Sequence, residues 1–146
     1  MWQWAPDIYL CHGTPRSDCE HFLETPRNGV LGLATATEIA ERLAGQPSAL
    51  IACGHSHLPR FLRTGGGQVL VNPGSVGLQA YVDDEPERYV VERGTPDATY
   101  AIVERIAGSW HGSQHALPYD HRAMAALAGR NNRPDWERAL LTGCVS

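Results

Sequence analysis

Ala49-Leu50-Ile51-Ala52-Cys53 is five apolar residues in unbroken succession, closed by Gly54, and it constrains the fold more than any other run in the chain. A strand with one face in water alternates apolar with polar side chains. An uninterrupted run belongs to a strand buried on both faces, as in a sheet covered by helices. Ile8-Tyr9-Leu10-Cys11 has the same character. Between the two, Thr35-Ala36-Thr37-Glu38 reads as a capping box, in which hydroxyl and carboxylate satisfy free backbone donors at a helix start. The helix is expected over residues 36–44, burying Ile39, Ala40 and Leu43 and stopping at Gly45. Strand, helix, strand is an α/β rhythm.

Beyond this unit, Phe61-Leu62-Arg63 and Gln68-Val69-Leu70-Val71 flank Gly65-Gly66-Gly67 at hairpin distance. Residues 82–95 turn acidic around Pro86 and read as an irregular, solvated loop. A strand resumes at Thr99-Tyr100-Ala101-Ile102-Val103. Asp120 caps a helix expected to reach Leu127, and Pro134 opens another with Trp136, Leu140 and Leu141 on its apolar side and Gly143 as its stop.

The chain of 146 residues fits one domain able to bury an ordinary core. Its formal charge of -4 argues against a surface built for nucleic-acid phosphates. Cys11, Cys19, Cys53 and Cys144 form no Cys-x-x-Cys pair and no disulfide framework, so a reducing cytoplasm is the expected setting. The first residues do not read as a signal peptide, and no apolar stretch reaches the ~18 residues of a membrane span.

The chemistry rests on histidines. His12 ends the first apolar run and is followed by Gly13, Thr14 and Pro15; His55 and His57 follow the second, between Gly54 and Leu58-Pro59. At i and i+2, His55 and His57 share a face in extended backbone, or splay toward two neighbouring metals in a tight turn. A bare His-x-His is also read as an exposed pair with no ligand, against which the Gly before, the Pro after and the buried strand that precedes them count. Leu58-Pro59-Arg60-Phe61 offers neither the Glu of a cupin site nor the Asp-His of a metallo-β-lactamase site. His21 sits in the polar stretch Cys19-Glu20-His21, and His111, His115 and His121 fall in a Gly/Ser/Gln-rich loop or at a helix start; all four are expected to be exposed. Asn72-Pro73-Gly74-Ser75 makes a sharp turn, with Pro73 pushing Asn72 out of helical backbone and Gly74 free to take positive φ. That turn either lacks chemistry or has a direct role.

The order Tyr9-Leu10-Cys11-His12-Gly13-Thr14-Pro15, then Cys53-Gly54-His55-Ser56-His57-Leu58-Pro59, then Val71-Asn72-Pro73-Gly74-Ser75-Val76-Gly77 resembles the calcineurin-like metallophosphoesterases of the small bacterial phosphodiesterase branch. The likeness continues through Arg93-Gly94-Thr95-Pro96 and Pro118-Tyr119-Asp120 to the closing helix with Trp136. It implies the C-terminal part of a β-sandwich flanked by helices in α/β/β/α layers, with mixed sheets. It also implies metal-dependent hydrolysis of a small phosphoester by a metal-bound hydroxide, with His12 and His55 as ligands of one ion and His57 as a ligand of its neighbour. Manganese, zinc or iron suits such ligands.

The family pattern also has an Asp-x-His pair, a Gly-Asp segment and a Gly-Asn-His-Asp segment, and none of these occurs in the chain. The domain is therefore expected to be N-terminally truncated, with no catalytic residue assigned within it. Three neutral imidazoles cannot balance two divalent cations, so at most one ion is expected, weakly held by His12 and His55. Open strand edges and apolar surface are expected to bring self-association or a separate N-terminal half. Trp2 and Trp4 are expected to pack on such a partner. The alternative is a catalytically inactive metal-binding or interaction module that retains the fold.

Overall fold

A computed structural model describes residues 1–146. In chain order the elements are β1 (Trp2–Ala5), β2 (Ile8–Leu10), β3 (Glu24–Arg27), β4 (Val30–Leu33), α1 (Ala36–Leu43), β5 (Leu50–Ala52), β6 (Arg60–Arg63), β7 (Val69–Asn72), β8 (Ala80–Asp83), β9 (Tyr89–Glu92), β10 (Ala98–Ile106), β11 (Ser109–Leu117), α2 (His121–Arg130) and α3 (Pro134–Thr142). The chain divides into two compact units, one of Met1–Thr25, Leu33–Gly74 and Tyr100–His115, the other of Pro26–Gly32, Ser75–Thr99 and Ala116–Ser146.

In the first unit a five-stranded sheet runs β1-β2-β5-β7-β6. The apolar strands β2, β5 and β7 lie parallel at its centre, and β1 and β6 flank them antiparallel. Parallel strands at the centre require cover on both faces, and both faces have it. On one, Ile51, Cys53 and Leu70 pack with Phe22, Leu23, Ala34 and the α1 residues Ile39 and Leu43. On the other, Leu50, Val69 and Val71 pack with Phe61, Ala101, Val103 and Trp110. Ile51, Val69 and Leu70 are wholly buried, each worth about 1.5–3 kcal/mol of transfer free energy. The helix starts as its capping box dictates: Thr35 Oγ1 accepts from the Glu38 amide, and the Glu38 carboxylate accepts from the Thr35 amide at 2.7 Å.

The second unit carries a hairpin of β8 and β9, a parallel pairing of Val30 with Val90, and the helices α2 and α3. Ala125, Ala128 and Leu140 bury there with Leu78 against them. Gly143 ends α3 in left-handed backbone at φ 71°, and a Cβ on it would come within 2.6 Å of three backbone atoms of Thr95. No other residue fits there.

Several expectations are corrected. Ala40 is exposed, because the buried stripe of α1 is only Ile39 and Leu43. Residues 82–95 are not an irregular loop: Tyr89, wholly buried, and Val91 anchor strand β9, and the acidic residues Asp84, Glu85 and Glu87 occupy the exposed hairpin tip. The Gly/Ser/Gln-rich segment is the nine-residue strand β11, paired with β10. α2 runs on to Arg130, and Trp136 and Leu141 of α3 are exposed.

Candidate functional site

Parallel strands β2 and β5 end side by side, so the residues that follow them meet. The Gly54 amide donates to the His12 carbonyl at 2.8 Å, and the imidazoles of His12 and His55 stand edge to face with centroids 5.2 Å apart and planes at 69°. Two imidazoles bound to one tetrahedral ion through bonds of about 2 Å have centroids roughly 5 Å apart, so this spacing suits a shared ion.

The backbone around them is strained and held. His55 and His57 both lie in left-handed backbone, at φ 65° and 59°, which costs a non-glycine residue about 1–2 kcal/mol. Of the two geometries open from the sequence, the tight turn is the one adopted. Its scaffold is Asn72, wholly buried, whose side-chain amide donates to the Gly54 carbonyl at 2.7 Å and to Ser56 Oγ at 2.9 Å while accepting from the Gly74 amide at 2.9 Å. The Asn72-Pro73-Gly74-Ser75 turn thus buttresses the histidine loop. Ser56 also bonds to the Glu24 carboxylate, which receives Arg60 Nε at 3.1 Å. Burial raises the Glu24 pKa above its ordinary value, the Ser56 and Arg60 bonds offsetting only part of that cost.

The His12 side is equally fixed. A Cβ on Gly13 would lie 2.5 Å from the Glu20 carbonyl oxygen and 2.6 Å from that of Ser17. Thr14, wholly buried, donates to Glu20 at 2.8 Å, so the loop after His12 closes tightly on itself.

His21 is a correction. It is 8% exposed, and its ring lies against His55 at 4.6 Å between centroids, tilted by 36°. The polar stretch Cys19-Glu20-His21 hid the signal that follows it: Phe22 and Leu23 enter the core and carry His21 in. His57 is half-buried but does not complete a trio, since no three His, Cys, Asp or Glu side chains are arranged to hold a metal ion. His111 is exposed, as expected. His115 is half-buried and stacks on Tyr100 at 5.0 Å, and His121 is half-buried with Nδ1 3.2 Å from the Tyr119 carbonyl oxygen. Burial pushes the Cys11 thiol up to about 11 and the Cys53 thiol well above its ordinary value, which keeps both protonated at neutral pH.

Three clustered imidazoles, His12, His55 and His21, with one buried, arginine-paired carboxylate nearby do not make a two-ion centre. Glu24 is committed to Ser56 and Arg60, and charge balance for a second divalent ion is missing. The residues present fit at most one ion, on the His12–His55 pair.

No protein-family model matches the chain, and no curated protein matches it in sequence. Among solved structures it is similar to a metallophosphoesterase from Sphaerobacter thermophilus, at TM-score 0.68 and 21% identity over 97% of this chain and 56% of that one. It is also similar to the hypothetical protein PH1004 from Pyrococcus horikoshii OT3, at TM-score 0.63 and 17% identity over 93% of this chain and 46% of that one. The chain has the metallophosphoesterase fold, mixed α/β with three helices, and spans about half the length of these solved structures. None of its helices is long and apolar enough to cross a membrane.

Proposed function

We propose that the chain supplies the histidine-bearing part of a metal-dependent phosphoesterase site, in a cytoplasmic protein acting on a small phosphoester. His12 and His55 hold one divalent ion. His57 serves a second ion when carboxylates from another polypeptide segment, in the same protein or a partner, complete the centre. The observation that carries this reading is the His12–His55 contact at the ends of neighbouring parallel strands, in a fold shared with a metallophosphoesterase. Exposed apolar residues on the edge strand β1, Trp2 at 61% and Trp4 at 59%, suit a surface that another segment covers.

Titrating the chain with Mn²⁺, followed by electron paramagnetic resonance and calorimetry, tests the ion site. One weakly held ion is expected, lost in His12→Ala and in His55→Ala and kept in His57→Ala. Undiminished binding in the first two variants refutes the assignment. With Mn²⁺ present, turnover of an aryl phosphodiester by the isolated chain is expected to be negligible, because no carboxylate bridges a second ion. A specific observation also favours an inactive interaction module: no metal-holding trio is preassembled. Absence of any Mn²⁺ binding at millimolar concentration selects that reading.

A further inference from the structure

Cys11 and Cys53 play no part in the site above, and both are free thiols. They follow β2 and β5, whose register pairs Ile8 with Leu50, Tyr9 with Ile51 and Leu10 with Ala52. The Cys11 amide extends that ladder by donating to the Ala52 carbonyl at 3.0 Å. Next in line on the two strands stand Cys11 and Cys53. In-register side chains of parallel strands leave the sheet on the same side, and the packing agrees. Tyr9, Ile51, Cys11 and Cys53 all join the cluster beneath α1, while Ile8, Leu50 and Ala52 join the cluster on the opposite face. Neighbouring strands run about 4.8 Å apart, inside the Cα separation of roughly 4.4–6.8 Å that a disulfide spans. We infer that Cys11 and Cys53 form a site of oxidative modification, closing to an intrachain disulfide that ties together the strand ends bearing His12 and His55.

A hydroperoxide serves as oxidant. Cys11 is half-buried and Cys53 only 5% exposed, so the Cys11 sulfur is the one that attacks the peroxide O–O bond, slowly because burial keeps it as the thiol, becoming a sulfenic acid as one water leaves. The Cys53 sulfur then displaces the hydroxyl from Cys11, forming the S–S bond and releasing a second water. Overall two thiols give up two electrons and two protons, and hydrogen peroxide takes them. Cβ atoms on in-register strands are also about 4.8 Å apart, against about 3.8 Å in a disulfide. Closure therefore draws the strand ends together by about 1 Å, shifting His12 against His55, and a bond under such strain is readily reduced.

The test treats the full chain with excess hydrogen peroxide, unfolds and alkylates it, and maps the peptides by mass; exposed Cys19 is the internal control. The expected product is a peptide pair joined through Cys11 and Cys53, lighter by two hydrogens than the separate peptides and separated again by dithiothreitol. In Cys53→Ser no such pair forms, and Cys11 proceeds to sulfinic acid. Cys19, the exposed thiol, is expected to oxidise first. Cys11 and Cys53 both still alkylated after prolonged treatment that has fully oxidised Cys19 would overturn the assignment, as would a Cys11–Cys19 link in place of the Cys11–Cys53 one.

Discussion

Asn72→Ala removes the buttress of the histidine loop, and its cost follows from the bonds lost. The Asn72 side chain makes three, to the Gly54 carbonyl at 2.7 Å, to Ser56 Oγ at 2.9 Å and from the Gly74 amide at 2.9 Å. Each is worth about 1 kcal/mol net, and a buried partner left unsatisfied costs more. Two partners keep other bonds: the Gly54 carbonyl still accepts from the Ser56 amide at 2.8 Å, and Ser56 keeps Glu24. The expected loss is therefore close to the simple total, about 3 kcal/mol. With a urea slope of about 2 kcal/mol/M, the unfolding midpoint falls by about 1.5 M at unchanged slope. Asn72→Asp is the sharper probe, because it keeps size and acceptor but loses both donors, setting a carboxylate against the Gly54 carbonyl. A comparable loss is expected at pH 7, along with displaced His55 ring-proton resonances. A loss below about 1 kcal/mol in both variants, with those resonances unmoved, refutes the idea that Asn72 holds the loop.

Three further outcomes are expected. Gly13→Ala drives a methyl group into the Glu20 and Ser17 carbonyl oxygens, at 2.5 and 2.6 Å; a loss of about 1–3 kcal/mol by urea unfolding is expected, and an unchanged midpoint means the loop yields freely. Thr35→Ala removes the Thr35 half of the capping box at a cost of about 1 kcal/mol, while Thr35→Ser restores most of it, again read from urea midpoints. Glu24→Gln tests the burial of a carboxyl whose pKa is raised in the folded chain. A raised folded pKa contributes stability that is fully present below the unfolded value, near 4.5, and is lost as pH rises through the folded one. The variant is therefore expected to gain on the wild type as pH increases from 4.5, and a pH-independent difference in denaturation midpoints counts against it.

The central strands were legible in the sequence because burial on both faces leaves an unmistakable apolar run, as at Ala49–Cys53. Legible too was the helix start, since Thr35 and Glu38 need only each other. His12 and His55 could be brought together from the sequence once both were placed at strand ends, and the shared metallophosphoesterase fold bears out the resemblance drawn from their order. Strand β11 was hidden because Ser109-Trp110-His111-Gly112-Ser113-Gln114-His115 has little apolar alternation; backbone pairing to β10 shapes it. The pair β3 and β4 was missed although Asn28-Gly29 sits between them with φ of 55° and 80°, a turn signal that the polar Glu24-Thr25-Pro26-Arg27 obscured. His21 was misread because burial is set by neighbours in sequence and space, and Phe22 and Leu23 outweigh Cys19 and Glu20.

The hydrogen bond from the Gly54 amide to the His12 carbonyl makes the two imidazole-bearing segments behave like the arms of a pair of callipers sharing one pivot. Their backbone spacing is set within the polypeptide itself, so a small ion that seats between the rings meets a gauge made before it arrives.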